Sequence, residues 1–206
     1  IKNMKKSIIN SFLGGASISF GCFCYLITLQ KTDNAYLAST TFYLGLLLIM
    51  LMKTDLFTGK VFSNSHLKLP EYIKSLIVTW VGNLAGGVFA SFCFYQIIKP
   101  DLTSLISNKL SLNPIQMLIS GVICNILVCA AVYAFSKTNN HLISGFLIVC
   151  FVLLGVEHIV ANFSYFTIGF CSGLNIDLFS LLKSLFFVTI GNIIGGRIII
   201  YMANKN

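Results

Sequence analysis

Charge is what this chain most lacks. Fourteen lysines and arginines and six acids are all that 206 residues hold, so charged residues make up 10% of the sequence, against about 25% in a soluble globular domain. With 56% hydrophobic residues and a mean hydropathy of +0.87, that scarcity excludes an ordinary soluble domain. Catalytic equipment is missing too. Glu157 and His158 are adjacent rather than arranged as H-E-x-x-H, no G-x-S-x-G is present, and Ser164 and Ser172 have no base beside them. The seven cysteines (22, 24, 93, 124, 129, 150 and 171) include no C-x-x-C and fall almost wholly inside apolar runs, where cysteine behaves as a small hydrophobe. Disulfides, a metal site, a redox centre and haem ligation are therefore not expected, no cofactor is implied, and the chain does not read as an enzyme.

What the sequence does contain is a series of uncharged runs of about 20 residues, the length that crosses a bilayer as a helix. Six crossings are expected, over residues 8–29, 35–52, 75–98, 115–135, 141–171 and 178–202. The N-terminal Lys2, Lys5 and Lys6 precede an uncharged run from Ser7 to Gln30, which is too long for the h-region of a signal peptide and reads as a first transmembrane helix. The net charge of +8 is spread between apolar runs, which reads as a topology signal and not as a nucleic-acid surface. With both termini inside, Lys2, Lys5, Lys6, Lys60, Lys68, Lys74, Lys137, Arg197 and Lys205 lie on the inner side and Lys31, Lys99, Lys109 and Lys183 on the outer. That imbalance predicts a multi-pass protein of the cytoplasmic membrane with both termini in the cytoplasm.

Two places interrupt the apolar pattern. Met52-Lys53-Thr54-Asp55-Leu56-Phe57-Thr58-Gly59 puts a lysine and an aspartate into the second crossing, and Gly155-Val156-Glu157-His158 puts a glutamate and a histidine into the fifth. A charged side chain at bilayer depth costs roughly 3 to over 10 kcal/mol, so such residues mark functional sites by default. Both stretches are predicted to be breaks in membrane helices. Lys53 and Asp55 are expected either to pair and hold the loop or to attract an anion.

The chain also repeats. Gly82-Asn83-Leu84-Ala85-Gly86-Gly87 in the third crossing matches Gly191-Asn192-Ile193-Ile194-Gly195-Gly196 in the sixth as G-N-x-x-G-G. The breaks fall in the second crossing of each half, and each carries an acid. Three crossings are odd in number, so the second copy must run the other way through the membrane. The fold class expected is an all-α polytopic membrane protein, one domain over 1–206, with six transmembrane helices as a 3+3 inverted repeat (about 1–110 and 111–206). In such folds two broken helices meet near the midplane. The paired glycines suit close helix approach. Asn83 and Asn192 are expected to hydrogen-bond between helices, with pore lining as the alternative.

Four stretches in order, Asp55-Leu56-Phe57-Thr58-Gly59, Gly121 to Cys129, Glu157-His158-Ile159-Val160-Ala161-Asn162 and Gly191 to Gly196, together resemble the formate/nitrite transporter family. The resemblance implies an aquaporin-like protomer, a homo-oligomer of five, and one pore per protomer for small monovalent anions such as formate, nitrite or hydrosulfide. Leu56 and Phe57 would belong to a constriction, Thr58 would hydrogen-bond His158, Asn125 would lie near the pore, and Glu157 and Asn162 would support the second break. The family usually has glycine where Lys53 stands and often glutamate where Asp55 stands. That departure, and the compact chain, lean the reading towards the hydrosulfide-conducting branch. With one ring nitrogen of His158 on Thr58, as the resemblance implies, the other is expected to face the permeating ion. A channel is the leading reading and a proton-coupled secondary transporter of formate or nitrite the alternative.

Overall fold

The computed structural model describes residues 2–204, all of its regular structure helical. Helix α1 (Lys2–Thr32) and α2 (Ala35–Met52) are joined by a two-residue turn, and α2 is followed after a break by the short α3 (Phe57–Ser63). Helix α4 (Leu69–Tyr95) completes the first half. After α5 (Thr103–Ser111), the second half repeats the pattern with α6 (Pro114–Thr138), α7 (His141–Leu153), α8 (Ile159–Cys171) and α9 (Leu178–Ala203). Among the described residues, five helices are long and apolar enough to cross a bilayer, and α7 and α8 are shorter apolar helices that together make the remaining crossing.

Local chemistry sets the helix ends. The Asn34 side chain accepts from Leu37 N–H to start α2. Asn113 and Gln116 form a reciprocal capping box at α6, with Pro114 in the first turn, where its missing N–H costs nothing. Asp177 accepts from Ser180 N–H to open α9. Helix α2 ends at Lys53 in the left-handed conformation (φ 53°), its N–H returning to Ile49 O.

The two halves use the same internal contacts. Helix α1 packs along α4 and α6 along α9. At both seams the approach is so close that a Cβ has no room. One added at Gly86 would strike Phe12 O, one at Gly82 would strike Ser11, and one at Gly191 or Gly195 would strike Leu118 O or Val122 O. The half-helices after the breaks then cross over: α3 packs on α9 and α8 on α4. We call the face carrying the start of α1 and the end of α9 the near face, and the opposite one, carrying α5, the far face.

The helices differ from the sequence expectation mainly in extent. Helix α4 begins at Leu69 because Pro70 is tolerated in a first turn, α3 begins at Phe57, and the segment between the third and fourth expected crossings contains α5, which buries Ile106 and Lys109. Of the lysines counted in the topology argument, Lys60 lies within α3 and Lys109 within α5. Lys205 lies outside the described residues.

Candidate functional site

The two breaks are built alike, and the repeated asparagines build them. Asn83 accepts from Phe57 N–H (2.8 Å) and donates to Asp55 O (2.8 Å) and Ser11 O (2.6 Å). Asn192 accepts from Ile159 N–H (3.0 Å) and donates to Glu157 O (3.0 Å) and Gly121 O (2.8 Å). Each asparagine thus satisfies the first N–H of a half-helix, the carbonyl of the acid before it, and a carbonyl of the first helix in its own half. A break exposes backbone groups that hydrocarbon cannot solvate, and a primary amide has both the acceptor and the two donors needed. Both side chains are fully buried and are committed to the backbone, so pore lining is not their role in this structure.

The half-helices meet at Thr58 and His158, whose Oγ1 and Nε2 are 2.9 Å apart. His158 is the N-cap of α8, and its Nδ1 accepts from Ala161 N–H at 3.2 Å. That bond leaves Nδ1 without a proton, so the neutral ring carries its hydrogen on Nε2 and donates it to Thr58. The expectation that one ring nitrogen faces a permeating ion is corrected here, because the capping position gives both nitrogens a protein partner. Thr58 accepts from the ring and is left with its own hydroxyl hydrogen to give. Its carbonyl accepts from Asn125 Nδ2 (3.3 Å) and Cys129 Sγ (3.3 Å), and Asn125 also donates to Asn192 O.

Each acid at a break accepts a lysine. Glu157 Oε1 is 2.8 Å from Lys109 Nζ and Glu157 Oε2 accepts from Asn162 at 2.7 Å. Both partners are nearly sealed, with side-chain exposures of 9% and 2%, and the lysine also lies over the Tyr165 ring. On the near side, Asp55 Oδ1 is 2.9 Å from Lys60 Nζ. The lysine beside Asp55 is therefore Lys60, one helical turn into α3. Lys53 is exposed, because its left-handed turn carries the side chain outward.

A cavity lies on each side of this centre. The far one, about 50 Å³, is lined by Lys109, Tyr25, Phe42, Phe151 and His158 among others. Phe42 and Phe151 stand edge to face at 5.4 Å, and Phe151 lies 5.7 Å from the His158 ring. The near one, about 300 Å³, is lined by Lys53, Thr54, Asp55, Lys60, Leu46 and Leu56 among others. Leu56 therefore closes the floor of the near cavity. Phe57 does not share it. One residue further round the helix start, it lines a separate groove with Tyr72 and Trp80 between α4 and α9. Sequence reasoning missed Lys109, Lys60, Phe42 and Phe151. Asn83 and Asn192 had the repeated motif to announce them, whereas two phenylalanines among 18 carry no such signal.

The fold and this centre define a polytopic helical membrane protein in which two broken helices meet between two cavities, each with a lysine in its lining. The family model described as formate/nitrite transporter matches residues 2–205, and the chain belongs to that family. It is 28% identical to an uncharacterized transporter of Saccharomyces cerevisiae, over 92% of this chain but only 35% of the yeast protein. It is also 28% identical to a probable formate transporter of Methanothermobacter thermautotrophicus, over 95% of this chain and 86% of that one. Among solved structures, an FNT family ion channel superimposes with a TM-score of 0.90 over 99% of this chain and 90% of the other, at 22% identity. A pentameric formate channel with formate bound gives 0.82 over 99% and 97%, also at 22% identity.

Proposed function

We propose that residues 1–206 form one channel domain, of two half-repeats at about 1–110 and 111–206, that passes small monovalent anions of weak acids. The permeants in that class are hydrosulfide, formate and nitrite. Hydrosulfide stands first on the Lys53 departure, and formate and nitrite stand beside it because the family description names both. The working form is a homopentamer in the cytoplasmic membrane with both termini in the cytoplasm. The observation that carries this reading is the meeting of Thr58 and His158 with a vestibule on either side.

In this mechanism an anion enters a vestibule that contains a lysine, Lys109 on the far side or Lys60 and Lys53 on the near side. It then meets an apolar barrier, Phe42 and Phe151 towards the far side and Leu56 towards the near side. Weakly hydrated monovalent anions cross such a barrier at least cost, since the loss is that of their water shell. At the centre, the Thr58 hydroxyl, oriented by the Nε2–H of His158, donates to the passing anion. The positive ends of α3 and α8, which begin there, add to the attraction. Asn125, Asn162, Asn83 and Asn192 keep the two half-helices in place.

The test is flux into reconstituted liposomes for hydrosulfide, formate, nitrite and sulfate. The expected result is rapid passage of the first three with the divalent, strongly hydrated sulfate far slower, and single-pore currents rather than a fixed proton stoichiometry. Sulfate passing as fast as formate would contradict the proposal.

A further inference from the structure

The near vestibule holds a feature that its pseudo-symmetric counterpart lacks. Thr54 is 9% exposed and lines the cavity, and its Oγ1 has no hydrogen-bond partner. Its backbone is committed, with N–H donating to Ile49 O at 3.1 Å. A buried hydroxyl normally finds a partner; this one has none, and its residue forms part of the cavity wall. Lys60 lines the same wall. One of its ammonium hydrogens is taken by Asp55 at 2.9 Å, which leaves two. Lys53 completes the lining. It stands at φ 53°, a conformation that glycine adopts freely and a lysine does not. The backbone alone gives no reason for a lysine there, and its charge does. Counting Lys53, Lys60 and Asp55, the vestibule has an excess of one positive charge.

On these grounds we propose that Thr54, Lys60 and Lys53 form a binding station for a small monovalent anion, carboxylate or comparable in size, at the near mouth before the Leu56 barrier. The Thr54 hydroxyl and the free Lys60 hydrogens donate to the anion, and Lys53 draws it in. The inference rests on the anion-channel reading above. It adds that this chain is asymmetric: the far vestibule offers a lysine only 9% exposed beside Glu157, while the near one offers a lysine 26% exposed beside Asp55 and, in Thr54, a hydroxyl without a partner.

The experiment uses formate currents through the full-length protein in planar bilayers, with each face perfused separately. Lys60 is left alone, because its removal would also strand Asp55. Thr54→Val removes the donor at constant shape, Thr54→Ser keeps it, and Lys53→Gly removes the charge while relaxing the backbone. For entry from the face bearing Lys53, Thr54→Val is expected to raise the half-saturating formate concentration about fivefold to tenfold, on the order of one charge-assisted hydrogen bond. Thr54→Ser is expected to restore it. Lys53→Gly is expected to raise it also, while making the protein more resistant to heat. Entry from the opposite face is expected to stay unchanged in all three. Unchanged saturation in both Thr54→Val and Lys53→Gly, or an equal rise from both faces, would overturn the station and leave the channel reading standing. An unaltered protein that carries no formate current would overturn the channel reading, and the station with it.

Discussion

At the scale of single residues, the centre is held by hydrogen bonds among buried polar groups, and the Lys109–Glu157 pair is the most exacting. Both side chains are almost sealed, so either charge left alone would be poorly solvated. Removing one partner of a buried pair typically costs about 3–5 kcal/mol, whereas replacing both by neutral groups of similar size is often near neutral. Lys109→Met is therefore expected to lower the unfolding temperature in detergent sharply, and Lys109→Met with Glu157→Gln to recover most of the loss. A double variant as unstable as the single one would mean that the pair is not what holds the second break. This residue scale was the least legible in the sequence. Lys109 stands in what reads as a polar loop, 48 positions from its partner, and only the folding of α5 against α8 brings the two together. Lys60 was hidden for a related reason: Lys53 is nearer to Asp55 along the chain, but the break turns one away and α3 turns the other inward. Asn83 and Asn192 were legible because the same motif occurs twice and each copy performs the same hydrogen-bonding task.

At the scale of elements, the helices follow from long uncharged runs, and their seams from glycine. The sequence contains G-x-x-x-G pairs, and the structure shows which glycines are indispensable. A Cβ at Gly86 would run into the Phe12 carbonyl of the packed α1, while one at Gly59 would meet only side chains at ordinary distances of 3.7 Å and beyond. Gly86→Ala is thus expected to force α1 and α4 apart and to destabilise the fold by about 1–3 kcal/mol, as overpacking does. Gly59→Ala, within the short α3, is expected to be neutral or slightly stabilising, by up to about 1 kcal/mol from helix propensity. Thermal unfolding of the two variants side by side checks this, and equal losses would contradict it. The breaks themselves were legible because an acid inside an apolar run is costly to bury in an unbroken, lipid-facing helix. Helix α5 was not, since its nine residues are mostly polar and its buried face is only Ile106 and Lys109.

At the scale of the whole molecule, two inverted halves bring their half-helices together at Thr58 and His158 and leave a vestibule at either face. Helix parity and the duplicated motif made the inverted repeat legible, since three crossings copied once can be arranged in no other sense. The paths on either side were not legible, because vestibules are defined by side chains from several helices at once. Central to the proposed mechanism is that anions pass from one vestibule to the other between Leu56 and the Phe42–Phe151 pair. The most direct measurement is formate flux into liposomes through the unaltered protein, Leu56→Ala and Leu56→Trp, each first shown by size-exclusion chromatography and thermal unfolding to be assembled and folded. Leu56→Trp is expected to reduce flux at least about tenfold by filling the floor of the near vestibule, a barrier increase on the order of 1.4 kcal/mol, and Leu56→Ala to raise it. Flux that is the same in all three proteins would place the route elsewhere and contradict the mechanism.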